Sequence, residues 1–255
     1  FFINYIEFNP RSRSIYHFIR QTNSSTKSVS YQGSLCNENV LPYLHMSKEF
    51  TKNKKKEGHL FSPSPDYYFV QGKQFKKLLS SYYKKRIFVI GSLRYDIIKF
   101  KKIIKKRNKI KSILICPSIG DEEMILDYIN NLSNKNFKFI LSPHPAVRKE
   151  TIKLFKKNLS KEIKIEIKNL NSFEMIKKVD FVICGLSSMA LEANLSNVDS
   201  ARIVDHKYQN IFDPNDGVQV LNHNKEIPIN SRKQVGKKFS KSINYLFYKL
   251  DQSAY

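Results

Sequence analysis

From residue 112 to residue 204 the chain alternates short apolar runs with amphipathic stretches, and each run halts at a turn. Strands this short, separated by helix-length segments, cannot be joined as hairpins. They require crossover connections and a parallel sheet covered on both faces. The pattern predicts strands over 112–116, 137–141, 163–167, 179–184 and 201–204. Helices are predicted over 121–132, 148–158, 172–178 and 187–194, with a last one over about 232–250. In the first of these, Met124, Ile125, Tyr128, Ile129 and Leu132 recur at helical spacing.

The part before residue 105 reads in the same way, less regularly. Strands are predicted over 1–6, 27–31, 67–70 and 86–90, and helices over 12–21 and 73–83. Residues 47–66 are polar, nearly all lysine over 52–56, with Pro63 and Pro65 beyond, which is loop chemistry. A basic stretch over 97–111 is expected to lead from one domain to the next. The fold class is therefore α/β, with one domain over 1–105 and another over 106–255. The chain opens on Phe1, directly in apolar sequence, so the N-terminal domain is expected to be incomplete.

Composition narrows the chemistry. The 255 residues are 41% hydrophobic and 26% charged, as in ordinary globular proteins. Forty-five Lys and Arg against 22 Asp and Glu give a formal charge of +23, which suits nucleic acid, acidic lipid or a polyanionic substrate. The alternative is a lysine-rich composition without function. Three widely spaced cysteines, Cys36, Cys116 and Cys184, read as buried thiols in a reducing compartment, not as a disulfide framework. No apolar stretch approaches the ~20 residues needed to span a bilayer, so a cytoplasmic protein is expected. The six histidines are scattered without metal-ligand spacing, so no metal is expected. Neither a Walker loop nor a Gly-x-Gly-x-x-Gly turn occurs, and Gly185-Leu-Ser187-Ser188-Met189 lacks the last glycine of a hydrolase elbow.

Two strand ends carry the polar groups. The first is Phe137-Lys-Phe-Ile-Leu-Ser-Pro-His144-Pro145; the second runs from Val179 through Cys184-Gly185-Leu-Ser187-Ser188 to Glu192-Ala193. In open α/β sheets, ligands bind beyond the carboxyl ends of strands. Prolines on both sides restrict the backbone at His144, and a rigid imidazole there suits an anionic oxygen. Its alternative is an idle surface histidine. Gly185, Ser187 and Ser188 open a helix whose free N–H groups favour phosphate; the plainer role for Ser187 is a helix cap. Glu192 is placed for ribose hydroxyls, or else is a solvent-facing glutamate. Ser118 and the Gly120 amide, in Pro117-Ser118-Ile119-Gly120-Asp121, are weaker candidates for the same crevice. Asp121 reads as the cap of its helix rather than a base. In the first domain Glu7, at the end of an apolar run, is a candidate general base for an acceptor hydroxyl, or an ordinary surface glutamate. Arg11, Arg13 and Arg94 are candidates for an acceptor carboxylate.

Ser142-Pro-His144-Pro145, followed by Cys184-Gly-Leu-Ser187-Ser188-Met-Ala-Leu-Glu192-Ala193, resembles the HP and SS motifs of bacterial GT-B glycosyltransferases. These enzymes move sialic acid or Kdo from CMP-activated donors in capsule and lipopolysaccharide synthesis. The resemblance implies two Rossmann-like domains facing across a cleft, the C-terminal one holding the nucleotide. It implies that His144 with Pro145, Ser187 and Ser188 meets the donor phosphate and that Glu192 lies near the ribose. It implies an acidic base from the N-terminal domain, for which Glu7 is the candidate by position. Pro65-Asp66 through Gly72, and Val89 through Asp96, also resemble the end of the N-terminal half in surface-carbohydrate biosynthesis proteins. Gln32 stands where the pattern leads one to expect histidine.

The expected function is metal-independent transfer of an acidic sugar from a CMP-activated donor to a glycan or lipid-linked acceptor. A fixed donor and helix-end amides would stabilise the departing phosphate without a cofactor. The basic surface would suit work at the inner face of an anionic membrane. A glycerophosphotransferase or a UDP-sugar transferase on the same scaffold is the alternative. A basic nucleic-acid-binding module is a reading of another class; it would need aromatic and basic residues interleaved on an exposed sheet, as Tyr67-Tyr68 and Tyr82-Tyr83-Lys84-Lys85 hint.

Overall fold

The computed structural model describes residues 1–5, 10–22, 25–32, 64–80, 86–92, 109–168, 172–204, 218–222 and 225–227. They fall into two compact units, each built on its own parallel sheet. The division expected between residues 105 and 106, the stretch over 97–108 and the helix over 232–250 lie outside the described residues.

The first unit contains β1 (Phe2–Asn4), α1 (Pro10–Thr22), β2 (Ser28–Tyr31), β3 (Tyr67–Val70), α2 (Lys73–Ser80) and β4 (Ile87–Val89). The strands lie in the order β1-β2-β3-β4, all parallel. Phe75 and Leu79, one turn apart on α2, bury themselves against Tyr68, Val70 and Ile87. Tyr68 is therefore core. Tyr67 faces the other side, half-buried, with the Arg86 guanidinium 5.6 Å from its ring centroid.

The second unit contains β5 (Ser112–Cys116), α3 (Glu122–Asn130), β6 (Lys138–Leu141), α4 (Arg148–Asn158), β7 (Ile165–Ile167), α5 (Ser172–Ile176), β8 (Phe181–Cys184), α6 (Met189–Leu195), β9 (Asp199–Ile203) and β10 (Gln219–Leu221). A single 3-10 turn, Pro145–Val147, precedes α4. All neighbouring strands are parallel, in the order β10-β9-β8-β5-β6-β7. Alternate residues of the central strands serve opposite faces. Ile113, Ile115, Phe139, Leu141, Phe181 and Ile183 pack under α3 and α4 with Ile125, Ile129 and Phe155. Leu114, Cys116, Ile140, Val182 and Cys184 pack under α5 and α6 with Met175, Ile176, Met189 and Ala193. Burial on both faces explains the unbroken apolar runs of the sequence.

The strand order fixes where a ligand belongs. From β5 the chain winds outward through β6 to β7, then returns to β8 on the other side of β5 and winds outward again through β9 to β10. The direction of winding reverses between β5 and β8. Connections leaving two such strands part to opposite faces and open a crevice at their carboxyl ends.

Each sheet is also tied at its amino edge. Asp66 accepts from Ser28 N–H (2.8 Å) and Ser28 Oγ (3.0 Å), and its own N–H donates to Ser28 Oγ (3.0 Å). In the second unit Asp180 accepts from Lys111 N–H (3.2 Å), Ser112 N–H (3.0 Å) and Ser112 Oγ (2.7 Å), and its N–H donates to Ser112 Oγ (3.1 Å). The same serine–aspartate pair thus sets the register of β2 with β3 and of β5 with β8.

Candidate functional site

Three strand-end loops meet at the carboxyl edge of the second sheet: residues 117–121 after β5, 142–145 after β6 and 185–188 after β8. Their joining is explicit. Ser142 N–H continues the ladder to Ile115 C=O (2.9 Å), and His144 N–H donates to Pro117 C=O (3.2 Å). The β6 loop is thereby pinned along the β5 loop.

His144 is exposed, with extended backbone (φ −58°, ψ 135°), enforced by the proline that follows. Pro145 opens the 3-10 turn, so His144 holds its capping position, and Nδ1 accepts from Ala146 N–H at 3.2 Å. An Nδ1 that accepts places the proton of the neutral ring on Nε2. The imidazole therefore points a fixed N–H donor away from its own backbone. Pro145 is exposed beside it, its role here being to start the turn.

In the β8 loop, Ser187 Oγ accepts from Met189 N–H (3.2 Å), but the capping position of α6 belongs to Ser188, whose side chain makes no capping bond. Ser188 Oγ donates to Glu192 Oε1 (3.0 Å). Glu192 is fully buried on α6, not the solvent-facing glutamate that helical position alone allows. Its carboxylate lies among Cys116, Cys184 and Arg202: burial raises both thiols, Glu192 raises them further, and the Arg202 charge partly offsets this at Cys184, which is pushed up to about 12. Cys116, Cys184 and Arg202 occupy one register row across β5, β8 and β9. A fully buried arginine in that row is not part of the sequence reading; the available signal is a lone arginine inside the apolar run Ala201–Val204.

Asp121 departs most from its expected role. It holds the capping position of α3, yet its side chain makes no capping bond. Instead Oδ1 accepts from Ser118 N–H (2.7 Å) and Oδ2 from Leu186 N–H (2.6 Å), so one carboxylate bridges the β5 and β8 loops. It is buried, and burial pushes its carboxyl above the usual range, against the opposing pull of the two N–H bonds. Gly185 is glycine because of this bridge. A Cβ there would lie 2.7 Å from Asp121 Cγ and 2.8 Å from Asp121 Cβ. Gly120 adopts φ +88°, a conformation that favours glycine. Its N–H is held by Glu122 Oε2 at 2.8 Å, and Ser118 is half-buried.

Thus His144, Pro145, Ser118, Gly120, Gly185, Ser187 and Ser188 belong to adjoining loops at one sheet edge, with Glu192 buried behind them. Glu7 and Arg94 lie outside the described residues; Arg11 and Arg13 are on α1. Among the described residues no group of three or more His, Cys, Asp or Glu side chains is placed to hold a metal ion, and no helix is long and apolar enough to cross a membrane.

No protein-family model and no curated protein matches the sequence. Among solved structures the chain is similar to the UDP-GlcNAc 2-epimerase of Methanocaldococcus jannaschii, in complex with UDP-GlcNAc and UDP. Identity is 16% over 94% of this chain and 74% of that one, with a TM-score of 0.51. It is also similar to S. aureus MnaA with UDP (15% identity, 92% of this chain, 69% of that chain, TM-score 0.49). A third is the wall teichoic acid polymerase TagF soaked with CDPG (15%, 73%, 51%, TM-score 0.41). Of these three, the epimerase alone is close enough to bear on the fold, which is GT-B-like: two α/β units on parallel sheets.

Proposed function

We propose that the protein is a group-transfer enzyme that takes a nucleotide-activated donor at the β5/β8 crevice, and that the donor is a UDP-sugar. One observation carries this reading: the winding reverses between β5 and β8, and the loop after β5 at that crevice is tied to the His144 loop on one side and to the loop of Ser187 and Ser188 on the other. In the transition state of such a transfer, negative charge grows on the departing nucleotide phosphate. A pre-aimed Nε2–H at His144 and the Ser187 hydroxyl, which accepts from Met189 N–H and keeps its own proton to donate, oppose that charge without reorganising, usually the largest contribution a site of this kind makes. The structurally similar epimerase binds UDP-GlcNAc and UDP, which supports a uridine diphosphate donor over the CMP-linked acidic sugar that the motifs alone suggest. The acceptor is a surface glycan or its lipid-linked precursor, approached by a chain of net charge +23. Glu7 is proposed to take the acceptor proton.

Calorimetric titration with UDP, UDP-GlcNAc, CDP-glycerol and CMP tests the reading. UDP and UDP-GlcNAc should bind and CMP should not. Preferential CMP binding would restore the acidic-sugar donor, and CDP-glycerol would make the enzyme a glycerophosphotransferase. Failure of all four, with salt-dependent RNA binding in a gel shift, would replace the reading by a nucleic-acid-binding one.

A further inference from the structure

The crevice between β5 and β8 already contains an anion. The N–H groups of Ser118 and Leu186, one from each wall, are the donors that a phosphate entering there would need, and both are engaged by the carboxylate of Asp121. The third loop amide, Gly120 N–H, is engaged by Glu122. The space over Gly185 is filled by the Asp121 side chain.

We propose that Asp121 is a positioning residue that clamps the two walls of the donor crevice and, by its charge, holds the donor's phosphates off Gly185 and out at the His144 rim. The proposal rests on the donor-site reading above. Geometry requires the first half: one carboxylate spans loops 65 residues apart in sequence. Electrostatics gives the second half, because two anions a few ångströms apart in a partly desolvated crevice repel. The groups that act on Asp121 are Glu122 from α3, which opposes its ionisation, and His144 from the β6 loop, which favours it. The thiols of Cys116 and Cys184 feel its charge from beneath, in a neighbourhood shared with Glu192 and Arg202. Burial raises the Asp121 carboxyl above the usual aspartate range, against the pull of its two N–H bonds, so the charge at the rim is lost at a higher pH than that of an exposed aspartate.

The test uses the whole chain and two readouts. The first follows the Ser118 and Leu186 amide resonances through a pH titration without ligand. In the wild type both should move together, with one midpoint above the usual aspartate value. In Asp121→Asn neither should show that step, and in Glu122→Gln the shared step should persist. The second measures UDP-GlcNAc affinity over the same range; both of its phosphates are diesters and carry no proton there. Wild-type affinity should fall roughly three- to tenfold as Asp121 ionises, and the profile of Asp121→Asn should lack that fall. Should Asp121→Asn fail to fold, the wild-type amide titration decides the clamp and the wild-type affinity profile decides the charge. Separate midpoints for the two amides, or no step, overturn the clamp. No fall in the wild type, or the same fall at the same midpoint in folded Asp121→Asn, overturns the role of the charge. If wild type binds no UDP-GlcNAc while the amides still move together, the donor reading falls with the role of the charge, and the clamp stands.

Discussion

At their amino edges the two sheets are tied by the same device, Ser28 with Asp66 in one and Ser112 with Asp180 in the other, each pair in register across neighbouring parallel strands. At their carboxyl edges they differ. In the four-stranded sheet, β2 and β3 are closed by a neutral, reciprocal amide pair: Gln71 N–H donates to Gln32 Oε1 (2.9 Å) and Gln71 Nε2 to Gln32 C=O (3.0 Å). In the six-stranded sheet, β5 and β8 are joined by the carboxylate of Asp121. The described strands of the first sheet wind in one direction, so β2 and β3 end side by side and their loops can touch directly. In the second the winding reverses, the loops part, and a side chain must reach across. Parallel pairing asks the same of both amino edges; the crossover direction decides which carboxyl edge opens.

The comparison can be broken at several points. The largest effect belongs to His144. His144→Ala should lower donor turnover by about 10²-fold or more, ~2.7 kcal/mol of barrier. Its melting temperature should stay close to wild type, because the ring is exposed and loses a single bond to Ala146 N–H. A large fall in stability with turnover retained would make the residue structural. Next come the amino-edge ties. Asp180→Ala strands two backbone N–H groups and a hydroxyl in a nearly buried position. It should cost about 2–4 kcal/mol in denaturant unfolding. The Asp66 side chain is more exposed, at 16%. Asp66→Ala should therefore cost less, about 1–2 kcal/mol. The reverse order would show that the two devices are not equivalent.

Gly185→Ala should cost about 1–3 kcal/mol, as overpacking does, because the new methyl meets Asp121. Adding Asp121→Gly should recover part of that loss. The smallest effect is on the thiols. Cys116 and Cys184 are raised by burial from an ordinary 9.0, Cys184 to about 12. A thiol raised in the folded state adds stability that is fully present below its unfolded value and lost as pH climbs through the folded one. In this chain that loss should begin above the ordinary thiol value and run up through the raised one. Both thiols should resist alkylation at mildly alkaline pH until the chain is unfolded, as peptide mapping would show.

Much of this is legible in the sequence, for a physical reason. The strands predicted over 67–70 and 112–116 and the helix over 148–158 match the observed limits, because central strands buried on both faces are continuous apolar runs ended by turns. The HP and SS loops also fall at the carboxyl ends of strands, as their sequence context leads one to expect. β10 leaves no such trace: it is three residues at a sheet edge, with Val220 43% exposed, and offers no apolar run to read. α6 starts at Met189, two residues later than expected, because Ser188 holds its capping position and Ser187 lies outside the helix. The Asp121 bridge and the purpose of Gly185 are illegible in the sequence. Both depend on a contact 65 residues away that only the strand order creates. The serine–aspartate ties share that property, since Asp180 and Ser112 become neighbours only once β8 returns to lie beside β5.

The most direct measurement is a crystal structure of the chain with UDP-GlcNAc. The account predicts the diphosphate at the carboxyl ends of β5, β6 and β8, within hydrogen-bond reach of His144 Nε2, with Asp121 still bonded to Ser118 and Leu186. A nucleotide seated away from the His144 loop would contradict it.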